Sequence, residues 1–148
     1  MKKAFTMIEL VFVIVILGIL ASFAIPKLAA TRDDAEVAAG QQRMSSLLTG
    51  IGSYYTAHGT FDTNVSKMTN EVLVDNTNAI FVGNFTTTVA YFGNIARTKR
   101  CLKLTVDDNN GTLKVESSSD GSAYCLALIG QLGSSIKTYK FGGSNIYN

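Results

Sequence analysis

The chain has 148 residues, enough for one domain and at most a small appendage. Its 13 basic and 11 acidic side chains give a formal net charge of +2, which does not mark a nucleic-acid-binding protein. Apolar residues make up 47% of the chain and charged residues 16%, and the apolar excess is concentrated before residue 30. The remainder is polar and rich in Gly, Ser, Thr and Asn, as in an ordinary soluble domain.

The chain begins with a segment that is long enough to cross a membrane. The run from Phe5 to Ile25 is almost entirely apolar. As a helix it would extend roughly 30 Å, about the thickness of the hydrocarbon core. Lys2 and Lys3 favour a cytoplasmic N-terminus, whereas Lys27 and Arg32 on the far side weaken that bias. We therefore expect a membrane-spanning helix whose orientation these charges only partly determine.

Two ordinary explanations of this segment leave one residue unexplained. A secretory signal peptide could be cleaved after the small-residue site Ser-Phe-Ala at 22–24, and an uncleaved signal anchor would keep the whole segment. Neither provides a partner for Glu9, a carboxylate near the start of the helix. Such a charge costs about 2.5–3.5 kcal/mol at the centre of a membrane helix and less towards the interface. It therefore tends to persist only where it has a partner.

Residues 4–10, with the sequence AFTMIEL, together with the apolar run and Ile25-Pro26 after them, resemble the N-terminal signature of type IV prepilins and type II secretion pseudopilins. The family pattern is a short basic leader, a small residue, Phe, a Glu four residues later, and a long apolar helix. The resemblance covers roughly residues 1–36, about a quarter of the chain. One departure is Ala4, where the family usually has Gly; Ala is the commonest tolerated substitute.

The resemblance implies an α+β fold, in which a long N-terminal membrane-spanning helix packs on a small antiparallel sheet head. It divides the chain into a leader at 1–4, a transmembrane and filament-core helix at 5–26, and a periplasmic head at 27–148 that contains the rest of the helix. A prepilin peptidase would cut between Ala4 and Phe5 and methylate the new amine of Phe5. The other implied partners are related pilin subunits, an inner-membrane assembly platform with its ATPase, and membrane lipid.

The resemblance also assigns roles within the helix. Glu9 of one subunit would pair with the Phe5 amine of a neighbour and fix the register of assembly, since a well-made buried pair roughly breaks even in energy. Gly18 and Pro26 would let the helix kink or extend locally in a filament. Gly is a weak helix former, and Pro removes a backbone donor. The alternative is that Pro26 only kinks the helix where it leaves the membrane.

Beyond Pro26 the periodicity predicts that the helix continues to about Tyr55, with His58 at its end and without a catalytic or metal partner. Its expected inner stripe is Leu47, Leu48, Ile51, Tyr54 and Tyr55. Side chains expected on its outer surface are Arg32, Asp33, Glu36, Gln42 and Arg43.

A loop-rich connection and an antiparallel sheet are predicted next. Short strand candidates lie at 72–74, 79–82 and 87–92. Alternating segments at 101–106 and 112–116 flank the turn sequence Asp-Asp-Asn-Asn-Gly and predict a hairpin. A short helix follows, with an apolar stripe at Leu126, Ile129, Leu132 and Ile136. Residues 139–141 are expected to return as a last strand and to turn at Gly142-Gly143.

The two cysteines are Cys101 and Cys125, in the polar part of the chain. They lack the spacing of a zinc or redox motif. A pair beyond an export segment indicates a disulfide in an oxidising compartment, which would place the head outside the cytoplasm and pin the hairpin to the element after it. Two buried free thiols are the alternative.

Three further motifs have simple explanations. The run 107–111 is better explained as a turn than as a calcium loop, because it is too short for an EF-hand and lacks the closing Glu. Three N-x-S/T sequences, at Asn64, Asn84 and Asn110, are expected by chance in a chain rich in Asn and Thr, although those at Asn64 and Asn110 also match the acidic N-glycosylation sequon that some bacteria use. Arg97, Lys99, Arg100 and Lys103 form the single basic cluster, which is better explained as the charged edge of a strand than as a phosphate-binding surface.

The sequence contains no nucleophile–base set, phosphate-binding loop or carboxylate pair, so we expect neither an enzyme nor a cofactor or metal site. Three functions remain. The first is a structural subunit of a type II secretion pseudopilus, slightly preferred, or of a type IV pilus. The second is a filament for DNA uptake. The third is an ordinary exported or signal-anchored protein, which the mature N-terminus, at Phe5 or at Ile25, would distinguish from a filament subunit.

Overall fold

A computed structural model of the chain describes residues 5–94 and 96–142, without the side chains of residues 26, 29 and 30. It is an α+β structure, as the resemblance implied. The chain divides into two compact units, Met1–Ala35 and Glu36–Asn148. The elements in order are helix α1 (Met7–His58), strands β1 (Ala90–Gly93), β2 (Arg100–Asp107) and β3 (Thr112–Ser117), helix α2 (Ala123–Leu132) and strand β4 (Thr138–Lys140). Single 3₁₀ turns lie at Val65–Lys67 and Gly133–Ser135.

The four strands form one antiparallel sheet in the order β1-β2-β3-β4. The predicted hairpin is confirmed, because β2 and β3 pair directly, with Leu104 opposite Val115. Alternate residues of β2 and β3 face the core, as the period of two requires. Gly111 closes the hairpin turn at φ +59°, a conformation that L side chains rarely adopt.

The core of the second unit lies between the sheet and the part of α1 that belongs to this unit. Val37, Met44, Leu47 and Ile51 recur at helical spacing and are at most 4% exposed. Leu48, Tyr54 and Tyr55 of the predicted stripe are only partly buried and pack at the margin of this core. The predicted helix end is confirmed, since α1 finishes at His58, whose ring stacks on Tyr54 at 4.0 Å between centroids.

The expectation that Arg43 lies on the outer surface is wrong. Its side chain is 19% exposed, and its Nε donates to Glu71 Oε2 at 2.8 Å. A second guanidinium nitrogen donates to the Gly93 carbonyl at 3.1 Å, and the guanidinium carbon lies 4.9 Å from the ring centroid of Phe92. Partners from two distant segments thus hold an arginine that helical periodicity alone assigns to solvent.

Two of the three early strand candidates are wrong as regular strands, and the third is right only in its last residues. Segments 72–74 and 79–82 contribute only isolated bridges, in which Val74 pairs with Ile80 and with Tyr91. The third candidate forms a strand only from Ala90 onward. Asp75 and Asn84 explain the loss, because their side chains accept hydrogen bonds from backbone N–H groups two residues ahead and so favour turns over ladders.

The apolar stripe predicted for α2 is only partly right, because Leu132 is buried and Ile129 and Ile136 pack against the core, but the helix ends at Leu132. Cys125, Leu128 and Leu132 are its buried residues, whereas Leu126, part of the expected stripe, is 60% exposed. Ser122 caps the helix by accepting from the Cys125 backbone N–H at 3.3 Å. The last strand is confirmed with bounds shifted by one residue, at Thr138–Lys140. The turn expected at Gly142-Gly143 lies partly outside the described residues.

Two helical glycines should respond oppositely to replacement by alanine. A Cβ at Gly50 in α1 would lie 2.7 Å from the Met68 carbonyl oxygen, whereas one at Gly130 in α2 would meet no atom within 4 Å. At Gly50 the overpacking costs about 1–3 kcal/mol, which equals or exceeds the roughly 1 kcal/mol that alanine gains in helix propensity. Chemical denaturation should show Gly50→Ala destabilised and Gly130→Ala stabilised. Equal shifts of one sign would contradict the close contact between α1 and the Met68 segment.

Candidate functional site: the N-terminal segment

The N-terminal unit presents an apolar helix surface that none of its described residues covers. Met7–Ile25 is the one segment of the described residues that is long and apolar enough to span a membrane, a property that a signal sequence would share. Its large side chains are all exposed, from Val11 and Val13 at 48% to Met7 at 83%. An apolar surface of this extent is stable only against lipid or against other apolar helices.

Glu9 lies in the first turn of α1 and already has a partner within the chain. Its Oε2 accepts from the backbone N–H and from the hydroxyl of Thr6, both at 2.8 Å. The Thr6 hydroxyl in turn accepts from the Glu9 backbone N–H at 3.4 Å. This reciprocal arrangement is a capping box, and it satisfies backbone donors at the start of the helix. No described donor reaches the second carboxylate oxygen, Oε1, so one oxygen stays open to a group from another molecule.

The sequence analysis missed this capping role, although the signal was present. Thr6 and Glu9 form the T-x-x-E pattern immediately before an apolar run, which is how a capping box is recognised in a sequence. Glu9 therefore has two candidate roles, as the acceptor in the capping box and as the partner of a cation from a neighbouring subunit. Mutations must separate these roles.

Phe5 precedes the helix, and its side chain is exposed, with 85% of the residue accessible. Ala4 and the rest of the expected leader lie outside the described residues. The expected cleavage at Ala4-Phe5 and methylation of Phe5 therefore stay predictions.

Helix α1 is continuous through both proposed points of flexibility. Gly18 and Pro26 lie within the single helix Met7–His58. A Cβ at Gly18 would find no atom within 4 Å, so packing in the single chain does not require glycine there. A local extension between these positions would thus belong to the assembled state and stays a prediction.

The predicted disulfide is present. Cys101 of β2 and Cys125 of α2 are bonded and fully buried, with a Cα–Cα distance of 4.8 Å. The bond joins the hairpin to the helix that follows it, as expected. It lies inside the hydrophobic core of the second unit, together with the fully buried Leu102 and Leu128.

The basic cluster does not lie on a strand edge. Arg100 and Lys103 belong to β2, which pairs with strands on both sides, and Arg97 and Lys99 precede it. Arg100 donates to the Asn76 carbonyl and lies over the Tyr91 ring, and Lys103 lies 3.8 Å from Glu116 Oε2. Half of this cluster already has protein partners, so the geometry adds no support to nucleic-acid binding.

The turn after β2 uses its own acidic side chains. Asp107 Oδ1 accepts from the Asn109 backbone N–H at 3.0 Å, and Asp108 Oδ1 accepts from the Phe61 N–H at 2.8 Å. The prediction of a structural turn is confirmed. Over residues 5–94 and 96–142, no group of three or more His, Cys, Asp or Glu side chains could hold a metal ion.

Comparison with known protein families gives a match at the N-terminus. No curated protein and no solved structure matches the chain. The family model of the prokaryotic N-terminal methylation motif matches residues 1–25, which include the predicted leader, Phe5, Glu9 and the apolar helix. The chain therefore carries, over its first 25 residues, the prepilin signature of type IV pilins and pseudopilins.

Proposed function

We propose that this protein is a structural, non-enzymatic subunit of a type IV filament, with a type II secretion pseudopilus preferred to a type IV pilus. The methylation motif over residues 1–25 carries the proposal. The exposed apolar helix and the open carboxylate oxygen of Glu9 support it, because both are unfavourable in a lone exported chain and useful in a helical bundle.

The proposed organisation follows the motif. Residues 1–4 are the leader, 5–26 form the membrane and filament-core helix, and 27–148 form the periplasmic head. The N-terminus lies in the cytoplasm before processing, as Lys2 and Lys3 favour. The buried Cys101–Cys125 disulfide supports a head in an oxidising compartment. The subunit then moves from the inner membrane into the filament, with the assembly platform and its ATPase as partners.

Assembly is proposed to depend on two groups that lie four residues apart, the Phe5 amine and the Glu9 carboxylate. Cleavage at Ala4-Phe5 creates an amine that remains cationic after a single methylation. Glu9 Oε2 continues to accept the hydrogen bonds from Thr6, while Oε1 accepts from the Phe5 amine of the adjoining subunit. The charge pair sets the register between helices, and the apolar faces from Leu10 to Ile25 provide the packing surface.

Processing gives a direct test of the proposed function. Intact-mass analysis of the membrane fraction should show a chain that has lost Met1 to Ala4 and gained one methyl group. Ala4→Gly, which restores the residue usual in the family, should be processed at least as completely. A mature chain that begins at Ile25 and is free in the periplasm would instead identify an ordinary exported protein.

A further inference from the structure

Three N-x-S/T sequences of the head differ in the two properties that a bacterial N-glycan acceptor combines. One property is an acidic residue two positions before the Asn, which the acidic form of the sequon requires. The other is an exposed turn in which the acceptor amide is free. Asn64 and Asn110 have the acidic residue, in Asp62 and Asp108, whereas Asn84 has Val82 at that position.

Asn64 combines both properties. It is exposed, and it caps the 3₁₀ turn Val65–Lys67 with an extended backbone. Its Oδ1 accepts from the Ser66 backbone N–H at 3.1 Å and from the Ser66 hydroxyl at 2.6 Å. The hydroxyl of the sequon is thereby held beside the acceptor amide, and no described acceptor engages the amide nitrogen Nδ2.

The acidic residue belongs to the same turn. Asp62 Oδ1 accepts from the Asn64 backbone N–H at 2.8 Å, while Oδ2 lies 3.1 Å from Lys67 Nζ. The pKa of the Asp62 carboxyl lies below its ordinary value, chiefly because of that backbone hydrogen bond and then because of Lys67. The carboxylate is therefore ionised at neutral pH. Oδ2 also accepts from the Tyr54 hydroxyl at 3.1 Å, and the Asp62 side chain is 17% exposed, so of its partners only the exposed Lys67 is readily exchanged for an enzyme's cation.

Asn84 has the turn without the acid. Its Oδ1 accepts from the Thr86 backbone N–H at 3.0 Å and from the Thr86 hydroxyl at 2.6 Å, nearly the same distances as at Asn64. Val82, in place of the acid, is 92% exposed. This site is thus a natural control for the acidic requirement.

Asn110 has the acidic residue two positions before it, but its side-chain amide nitrogen is already hydrogen-bonded. Its Nδ2 donates to the Asp107 carboxylate, and the acid of this sequon, Asp108, accepts from the Phe61 N–H. Gly111 is buried, and Thr112 is already paired in β3. Binding to a transferase would break the hairpin turn and open the first pairs of the sheet.

We propose that Asn64 is an acceptor for an N-linked oligosaccharide, transferred from a lipid-diphosphate carrier on the outer face of the inner membrane. Asn64 Nδ2 forms a bond to C1 of the first sugar as the bond from C1 to the diphosphate oxygen breaks. The lipid diphosphate leaves with the bonding electrons, and the amide loses one proton to a base of the transferase. The inference rests on the exported head of the proposed function.

The test uses the full-length protein in cells that contain an acidic-sequon oligosaccharyltransferase, its lipid-linked oligosaccharide and a known acceptor protein. Mass analysis of the membrane fraction should show one glycan per chain, mapped to the peptide that contains Asn64. Asn64→Gln, Ser66→Ala and Asp62→Asn should each abolish the added mass, whereas Ser66→Thr should keep it. Asn84→Gln and Asn110→Gln should leave the glycan on Asn64 unchanged.

A gain-of-site variant tests the same argument in the opposite direction. Val82→Asp places an acid two residues before Asn84, and its exposed side chain makes the change easy to accommodate. It should add a second glycan, at Asn84. An unmodified Asn64 in cells that glycosylate the known acceptor would overturn the proposal, and so would a glycan at Asn110 of the wild-type chain. The same spectra report the loss of Met1 to Ala4, so failure of leader processing is seen separately.

Discussion

Glu9→Gln subunits are expected to reach the membrane at the wild-type level and to form no filaments. Glutamine keeps the size of glutamate and can still accept from Thr6, so the capping box at the start of α1 survives. Only the charge is lost, and in the proposed charge pair the Phe5 amine of the adjoining subunit then has no anionic partner. An unpaired buried charge costs about 3–5 kcal/mol, repeated at every subunit added.

A matched variant separates the two roles of Glu9. Thr6→Ala removes the hydroxyl of the capping box and keeps the carboxylate, at a cost of about 1 kcal/mol in helix stability. It should therefore still assemble, while Glu9→Ala should fail as Glu9→Gln does, unless wild-type subunits are mixed in. Filaments would be counted by electron microscopy after shearing, and monomer abundance would be measured in the membrane fraction. Filaments of Glu9→Gln alone at wild-type yield would refute the charge-pair mechanism.

Removal of the disulfide is expected to lower the free energy of unfolding of the head by about 3–4 kcal/mol. On the chain-entropy argument, this is the stabilisation from closing a loop as long as the one between Cys101 and Cys125, which are 24 residues apart. Domains of this size are typically stable by about 5–15 kcal/mol, so the loss is a large share of the total. The double variant Cys101→Ala, Cys125→Ala removes the bond without leaving a reactive thiol.

Denaturant titration of the detergent-solubilised protein measures this difference. Wild-type protein kept in a reductant is the control, and its midpoint should move towards that of the double variant. Non-reducing peptide mapping of the untreated protein should recover the linked Cys101 and Cys125 peptides. Equal midpoints for oxidised wild type and the double variant would show that the bond does not stabilise the head.

Local patterns in the sequence were sufficient to predict the N-terminal helix, the hairpin and the last strand. Each of these elements is marked by residues close together in the chain, so no distant partner is needed to recognise it. The marks are the apolar run before residue 26, the alternation on either side of the turn at 107–111, and the turn residues themselves. The prepilin signature is equally local, because the recognition chemistry lies in a short linear segment. The capping box of Thr6 and Glu9 was also readable and was overlooked.

Only the tertiary structure decided how the remaining segments are used. The partners of Arg43 come from Glu71 and Gly93, which no helical periodicity can anticipate. The inward face of α2 follows from the buried bond at Cys125, and it turns Leu126 outward. Side-chain hydrogen bonds at Asp75 and Asn84 replace strands that the apolar pattern favoured. For Arg43 and α2 the deciding free energy comes from contacts between residues far apart in the chain, which only the folded arrangement brings together. At Asp75 and Asn84 the deciding hydrogen bonds are local, each to a backbone N–H two residues along the chain, and they compete with strand pairing.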